Sequence, residues 1–128
     1  MILVDSGVLI DYLRTKDPKL DRLFQSEPVA VCGVTRAEIL AGARGAKDRQ
    51  RLVQFLSTFQ QVPIPEALWD LIGDYLASLY ASGITVPLPD VVIATLGIEN
   101  DMEVWARDPH FLLMHKALPR LKLYQEPP

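Results

Sequence analysis

No disulfide can brace this chain, because Cys32 is its sole cysteine. A lone thiol in a short apolar run reads as an inert core residue, and its solitude fits a reducing cytoplasm. Long hydrophobic runs are missing as well. The longest, Val91 to Ile98, is too short to cross a bilayer. The Ile2 to Val4 stretch ahead of Asp5 is too short for a signal-peptide core. The expectation is a cytoplasmic protein with no membrane partner. Positive charge is in deficit, with a formal net charge of −3 and a pI near 5.3. Proteins that grip nucleic acid over a broad face are usually basic, so any such partner must be held locally, by a patch or by bound metal ions. Histidine is scarce too. His110 and His115 lie close together near the C-terminus without a cysteine partner, so a zinc site or a two-histidine ribonuclease is not expected. Both histidines read as surface residues.

What is present is an ordinary globular balance. The 128 residues are 49% hydrophobic and 23% charged, which suits a single domain over residues 1–128 with one sizeable core. Short apolar runs alternate with helical patterns. Met1 to Val4 reads as a buried strand, followed by a corner at Asp5, Ser6 and Gly7. Helical spacing then covers Val8 to Arg14, and Leu20, Leu23 and Phe24 mark a second short helix. Pro28 to Cys32 reads as a strand and Thr35 to Ala43 as a helix. Leu52, Phe55, Leu56 and Phe59 form one apolar helical face. Gln61 to Ile64 reads as a third strand, and Leu68, Ile72, Leu76 and Leu79 as another helix. Gly83 to Pro89 reads as a loop, Asp90 to Asn100 as a buried helix, and Glu103 to Ala106 and Leu121 to Tyr124 as strands. Strands separated by helices imply parallel βαβ units. The expected fold is α/β, a three-layer sandwich with a mainly parallel sheet of four to five strands flanked by helices.

In such a sheet, active groups collect at the carboxyl edge, where strands end and helices begin. Asp5 and Asp108 each stand just after an expected strand, Glu38 in the first turn after the second strand, and Asp90 at the start of the buried helix. Each acid also has a structural explanation. Asp5 and Ser6 can cap a helix, Thr35-Arg-Ala-Glu38 matches a capping box, Asp90 is a good N-cap, and Asp108-Pro109 fits a cap with proline in the first helical position. The case for a site rests on the set. Burying an unpaired carboxylate costs several kcal/mol, so buried charges are normally paired or bound to metal. No basic residue adjoins Asp5 or Asp90, and neighbouring carboxylates raise one another's pKa. Hard oxygen ligands suit Mg²⁺ or Mn²⁺, and such a site suits phosphodiester hydrolysis, since the metal activates water and neutralises phosphoryl charge.

Basic residues offer local affinity. Arg36 flanks Glu38 and Arg107 flanks Asp108. From Arg36 to Arg51 the chain carries Arg36, Arg44, Lys47, Arg49 and Arg51 against Glu38 and Asp48, a local surplus of three positive charges. This is either a solvated helix face or a phosphate-contacting rim.

The arrangement resembles the PIN-domain nucleases. Asp5-Ser6 after an N-terminal strand is similar to that family's opening. Val34-Thr35-Arg-Ala-Glu38-Ile-Leu40 resembles its second signature, and Leu88-Pro-Asp90-Val-Val-Ile-Ala94 its third. Val104-Trp-Ala-Arg107-Asp108-Pro-His-Phe111 is similar to its fourth. The match runs the whole chain in order. In length it most resembles VapC-type toxins of toxin–antitoxin pairs. That resemblance implies a Mg²⁺- or Mn²⁺-dependent endoribonuclease acting on tRNA or another structured RNA. It also implies a homodimer and neutralisation by a cognate antitoxin protein. It further implies that Asp5, Glu38, Asp90 and Asp108 hold metal and orient water, with Ser6 in support and Thr35, Arg36 and Arg107 as supporting or substrate-contacting residues. Ala106 departs from the pattern, standing where the family often has Thr or Ser. That change removes a hydroxyl beside the fourth acid.

Two rivals use the same residues differently. An aspartyl-phosphate phosphatase wants a second Asp two positions after the first, where this chain has Gly7. A non-catalytic interaction module of the same fold would keep the acids without using them.

Overall fold

Successive side chains of the strand β1 (Ile2–Val4) face two different cores, and this alternation organises the molecule. The computed structural model describes residues 1–128. After β1 come α1 (Ser6–Thr15), α2 (Pro18–Ser26), β2 (Val29–Cys32), α3 (Gly33–Ala41), α4 (Ala46–Ser57) and β3 (Gln60–Val62). Then follow α5 (Leu68–Ala81), α6 (Leu88–Glu99), β4 (Glu103–Trp105) and α7 (His110–Ala117). The four strands lie in the order β3-β2-β1-β4, and every pairing is parallel. Leu3, Ala30, Cys32 and Val104 join one core with α5, α6 and α7. Ile2, Val4, Val29, Val31 and Trp105 join the other with α1 to α4. The result is the expected three-layer α/β sandwich, helices on both faces of a parallel sheet.

Hydrophobic patterning explains why each element sits where it does. β1 and β2 are apolar at every position and fully buried, as a strand covered on both faces must be. β3 carries Gln60 and Gln61, is largely exposed, and forms an edge, where polar side chains discourage further pairing. In α6 every residue from Val91 to Ile98 is buried. This helix is enclosed all round, with α5 and β4 among its neighbours. It starts two residues earlier than the loop expected at Gly83 to Pro89 allows, with Pro89 in the first turn, a position where the missing proline N–H costs nothing.

One expected strand does not form. Leu121 to Tyr124 makes a single bridge, Val104 with Leu123. β4 is only three residues long and Val104 presents its outward polar pair. Its N–H donates to the Lys122 carbonyl at 2.8 Å, and its carbonyl accepts from Tyr124 at 2.9 Å. With both groups satisfied, the tail has nothing further to pair with, so the sheet has four strands. Cys32 lies buried in β2 as a free thiol. No helix is long and apolar enough to cross a membrane.

The seam between α6 and β4 is tight enough to exclude a methyl group. A Cβ on Gly97 would lie 2.6 Å from Val104 Cγ2 and 3.3 Å from the Met102 carbonyl oxygen, and a β-branched valine has little rotamer freedom to yield. Gly97→Ala is expected to lower stability by about 1–3 kcal/mol, read as a fall in the urea midpoint at constant m-value. Gly42→Ala is the control, because its nearest atom would be the Ile39 carbonyl oxygen at 3.5 Å. Equal midpoints for the two variants would contradict the close packing.

Candidate active site

Because all four strands are parallel, their carboxyl ends share one edge, and the chain turns there into its helices. Asp5 stands at that edge on the end of β1. Its backbone N–H donates to the Trp105 carbonyl of β4 at 2.9 Å, and the carboxyl-bearing residue is 5% exposed. It occupies the N-cap position of α1 in extended backbone, yet its side chain makes no cap hydrogen bond. Burial pushes its carboxyl up, the Ser6 backbone N–H pulls it back, Asp90 and Glu38 add repulsion and the Gly7 N–H opposes them. The net pKa is about 6, against an ordinary 3.8.

Glu38 comes to Asp5 from α3. The hydroxyl of Ser6 donates to Glu38 Oε1 at 3.2 Å, which ties the two neighbours of Asp5 together. The capping box suggested by Thr35 and Glu38 is not built. α3 begins at Gly33 behind a Cys32 N-cap, so Thr35 is already inside the helix. Its fully buried hydroxyl donates instead to the Val4 carbonyl at 3.3 Å. Thr35 thus pins α3 to the end of β1 and is out of reach of any substrate.

Asp90 is likewise not a cap. Pro87 holds the N-cap position of α6, and Asp90 lies in the first turn with its side chain 13% exposed. Its carboxyl is raised by burial, lowered by its hydrogen bond with His110, and raised again by the charge of Asp108. His110 Nδ1 lies 2.9 Å from Asp90 Oδ2 and 3.1 Å from Asp108 Oδ1. Asp108 does have a local structural contact, since its Oδ1 accepts the His110 backbone N–H at 2.8 Å.

His110, expected from the sequence to be a surface residue, enters the acidic cluster instead. A local signal existed. In Asp108-Pro109-His110 the aspartate folds back onto the N–H two positions on, a common turn habit, which brings imidazole and carboxylate together. That Asp90 meets the same ring depends on α6 and α7 lying side by side, and no spacing along the chain announces it.

The cations are distributed differently from expectation. Arg107 faces away into a network with Glu126 at 2.7 and 2.8 Å and Asp11 at 2.9 Å, which pushes its pKa up and occupies its guanidinium. Arg36 donates to Gln61 at 3.1 Å, on the side of β3. A cleft of about 250 Å³ beside Glu38 is lined instead by Arg14, Arg44 and Arg51, with Ile10 and Leu13 among its apolar walls.

The donor set fits a hard divalent cation. Asp90, Asp108 and His110 each offer one ligand atom, and these atoms lie within 4.8 Å of one another. Asp5 adjoins Asp90 and Glu38 closely enough to feel both charges. No arginine or lysine forms an ion pair with any of the four acids. Carboxylate oxygens are the ligands that Mg²⁺ and Mn²⁺ accept.

The family model described as PIN domain matches residues 2–116. No curated protein matches the chain. Among solved structures, FitAcB from Neisseria gonorrhoeae is similar at 19% identity and TM-score 0.76, covering 98% of each chain. VapBC2 from Rickettsia felis, bound to a DNA fragment from their promoter, is similar at 16% identity and TM-score 0.80. The match covers 97% of this chain and 98% of that one. A toxin-antitoxin complex from Klebsiella pneumoniae is similar at 21% identity and TM-score 0.71, covering 99% of this chain and 100% of that one.

The raised Asp5 pKa makes stability depend on pH. Between 3.8 and about 6 the folded chain holds a proton at Asp5 that the unfolded chain has released. Stability from this group therefore falls as pH rises through that window. In chelator-treated protein, Asp5→Asn is expected to raise unfolding free energy by about 2–3 kcal/mol above the window and to change little near its lower end. Urea titrations at pH 4.5, 6 and 8 check this. A pH-independent difference would mean that Asp5 carries no unfavourable buried charge.

Proposed function

Since this chain belongs to the PIN-domain family, we propose that it is a metal-dependent endoribonuclease and the toxin of a toxin–antitoxin pair. The observation that carries the reading is Asp5. A carboxyl buried at the end of the central strand, pushed up to about 6 by burial and by Asp90 and Glu38, has no cationic side chain to satisfy it. Like charges arranged this way destabilise a fold unless a cation is gained. Asp5, Glu38, Asp90 and Asp108 are the residues that would hold Mg²⁺ or Mn²⁺. When bound, the cation lowers the pKa of water and offsets charge gathering on a phosphodiester.

The chain's own groups divide the remaining work. Ser6 fixes the Glu38 carboxylate through its hydroxyl, and Thr35 holds α3 against the end of β1. Arg14, Arg44 and Arg51 line the cleft beside Glu38. Arg51 is held by Asp48 at 2.6 Å, which leaves Arg14 and Arg44 as the unpaired cations of this rim in a chain of net charge −3. Phosphate contacts of that kind position a strand without reading its bases. The phosphate-contacting role assigned by spacing to Arg36 and Arg107 passes to these residues.

The toxin assignment and a cognate antitoxin partner are supported by likeness in fold, and a single domain over residues 1–128 and a homodimer go with that reading. The neighbours include a toxin-antitoxin complex and VapBC2, each covered almost end to end. Structured RNA such as tRNA is the substrate class that goes with this reading, in the cytoplasm.

The test is Mg²⁺- or Mn²⁺-dependent cleavage of total cellular RNA. Wild type is expected to give discrete fragments that vanish with chelator. Asp5→Asn and Asp90→Asn are each expected to lose on the order of 10²–10³-fold or more in rate, the scale of deleting one preorganised electrostatic group. If wild type and both variants behave alike, with any residual cutting insensitive to chelator, the acids are not a catalytic metal site and the chain is a binding module of the same fold.

A further inference from the structure

We propose that His110 is a nitrogen ligand of the divalent-cation site, completing with Asp90 and Asp108 a mixed imidazole–carboxylate set that prefers Mn²⁺ to Mg²⁺. The inference rests on the reading of the acids as a cation site and adds to it a ligand and a selectivity. Its basis is the shape of the cluster. His110 Nδ1 stands 2.9 Å from Asp90 Oδ2 and 3.1 Å from Asp108 Oδ1. Neighbouring ligands on an octahedral ion with bonds of about 2.1 Å are separated by about 3.0 Å. These two separations, the first of them a hydrogen bond, therefore have the length of ligand–ligand edges around a cation. One ligand atom from each of the three residues lies within 4.8 Å of the others.

The chain prepares this arrangement. Asp108 Oδ1 is held by the His110 backbone N–H at 2.8 Å, and Pro109 fixes the backbone between them. His110 is the first residue of α7, so its main chain is anchored. Its side chain is 37% exposed, and in the tautomer that carries its proton on Nε2 the Nδ1 lone pair is open to a cation.

Ligand chemistry then sets the preference. Imidazole suits transition metals, whereas Mg²⁺ keeps to oxygen and sheds water reluctantly. The other histidine is differently employed. His115 Nδ1 contacts the Leu121 carbonyl oxygen at 2.7 Å. With only two histidines in the chain, an imidazole signal from bound metal is assignable.

The experiment uses tag-free protein and Mn²⁺. Pulsed EPR reads ¹⁴N coupling to the bound ion, and the free-ion EPR signal reads affinity with and without competing Mg²⁺. Imidazole coupling is expected in wild type and in His115→Gln, and its loss in His110→Gln. Affinity for Mn²⁺ is expected to fall about tenfold or more in His110→Gln, with Mg²⁺ affinity nearly unchanged. Bound Mn²⁺ without nitrogen coupling in wild type overturns the proposal independently of any variant, and so does coupling that persists in His110→Gln. If that ion is still released by Asp5→Asn or Asp90→Asn, the acidic site stands and only His110 falls. If wild type binds no Mn²⁺ at all, both readings fall together.

Discussion

Holding the Asp5 carboxyl out of water at the end of the central strand is the placement on which the rest of the edge depends. β1 has a partner on each side and a core on each face, so the chain leaving it has little freedom. The Val4 carbonyl is taken by Thr35 and the Asp5 N–H donates to Trp105. These bonds aim one acid at the crevice while α3 and α6 deliver two more. Carboxylates brought so close repel, and an edge built of loops alone would splay to relieve the repulsion. Here two packed hydrophobic cores resist it, because a close-packed interior transmits strain rather than yielding.

A contrast within the molecule shows how unusual this edge is. Asp48 is lowered chiefly by the Arg44 backbone N–H and by Arg51, Asp101 by Lys122, and Glu126 by Arg107. Those acids sit near the surface with donors or cations and behave as solvated ion pairs do, adding little to stability. Asp5 and Asp90 shift the other way, with only hydroxyl, amide and imidazole neighbours in support. Although Arg14, Arg44 and Arg51 line the cleft beside Glu38, no arginine or lysine forms an ion pair with the acids of this edge. A cation from solution would meet no resident competitor there.

How far the chain could be read in advance depended on whether each signal was local. β1, β2 and α6 were legible because burial on both sides demands unbroken apolar runs, and those runs are visible directly. Thr35 and Glu38 misled as a capping box because the same spacing serves two purposes. Which one is realised depends on where α3 starts, and Gly33 moved that start forward. The tail from Leu121 to Tyr124 looked like a strand on propensity, but a three-residue partner leaves it one bridge. Arg107 looked like a substrate contact because it adjoins Asp108. Its guanidinium turns to Glu126 and Asp11, the latter 96 residues away in sequence, a pairing no local pattern contains.

The sequence by itself determined that this is an α/β chain with parallel strands, and that four acids follow strand ends or open helices. Alternation of apolar runs with helical spacing is a local property, and so is the position of a residue just after a run. Only the tertiary structure decided which acids come together, which cations stay away and what else enters the cluster. Sheet order set β1 between β2 and β4, and the packing of α6 against α7 brought His110 to Asp90 and Asp108. Electrostatic interaction falls with distance in space and is indifferent to distance along the chain. The chemistry of the edge therefore exists only once the fold has closed around it.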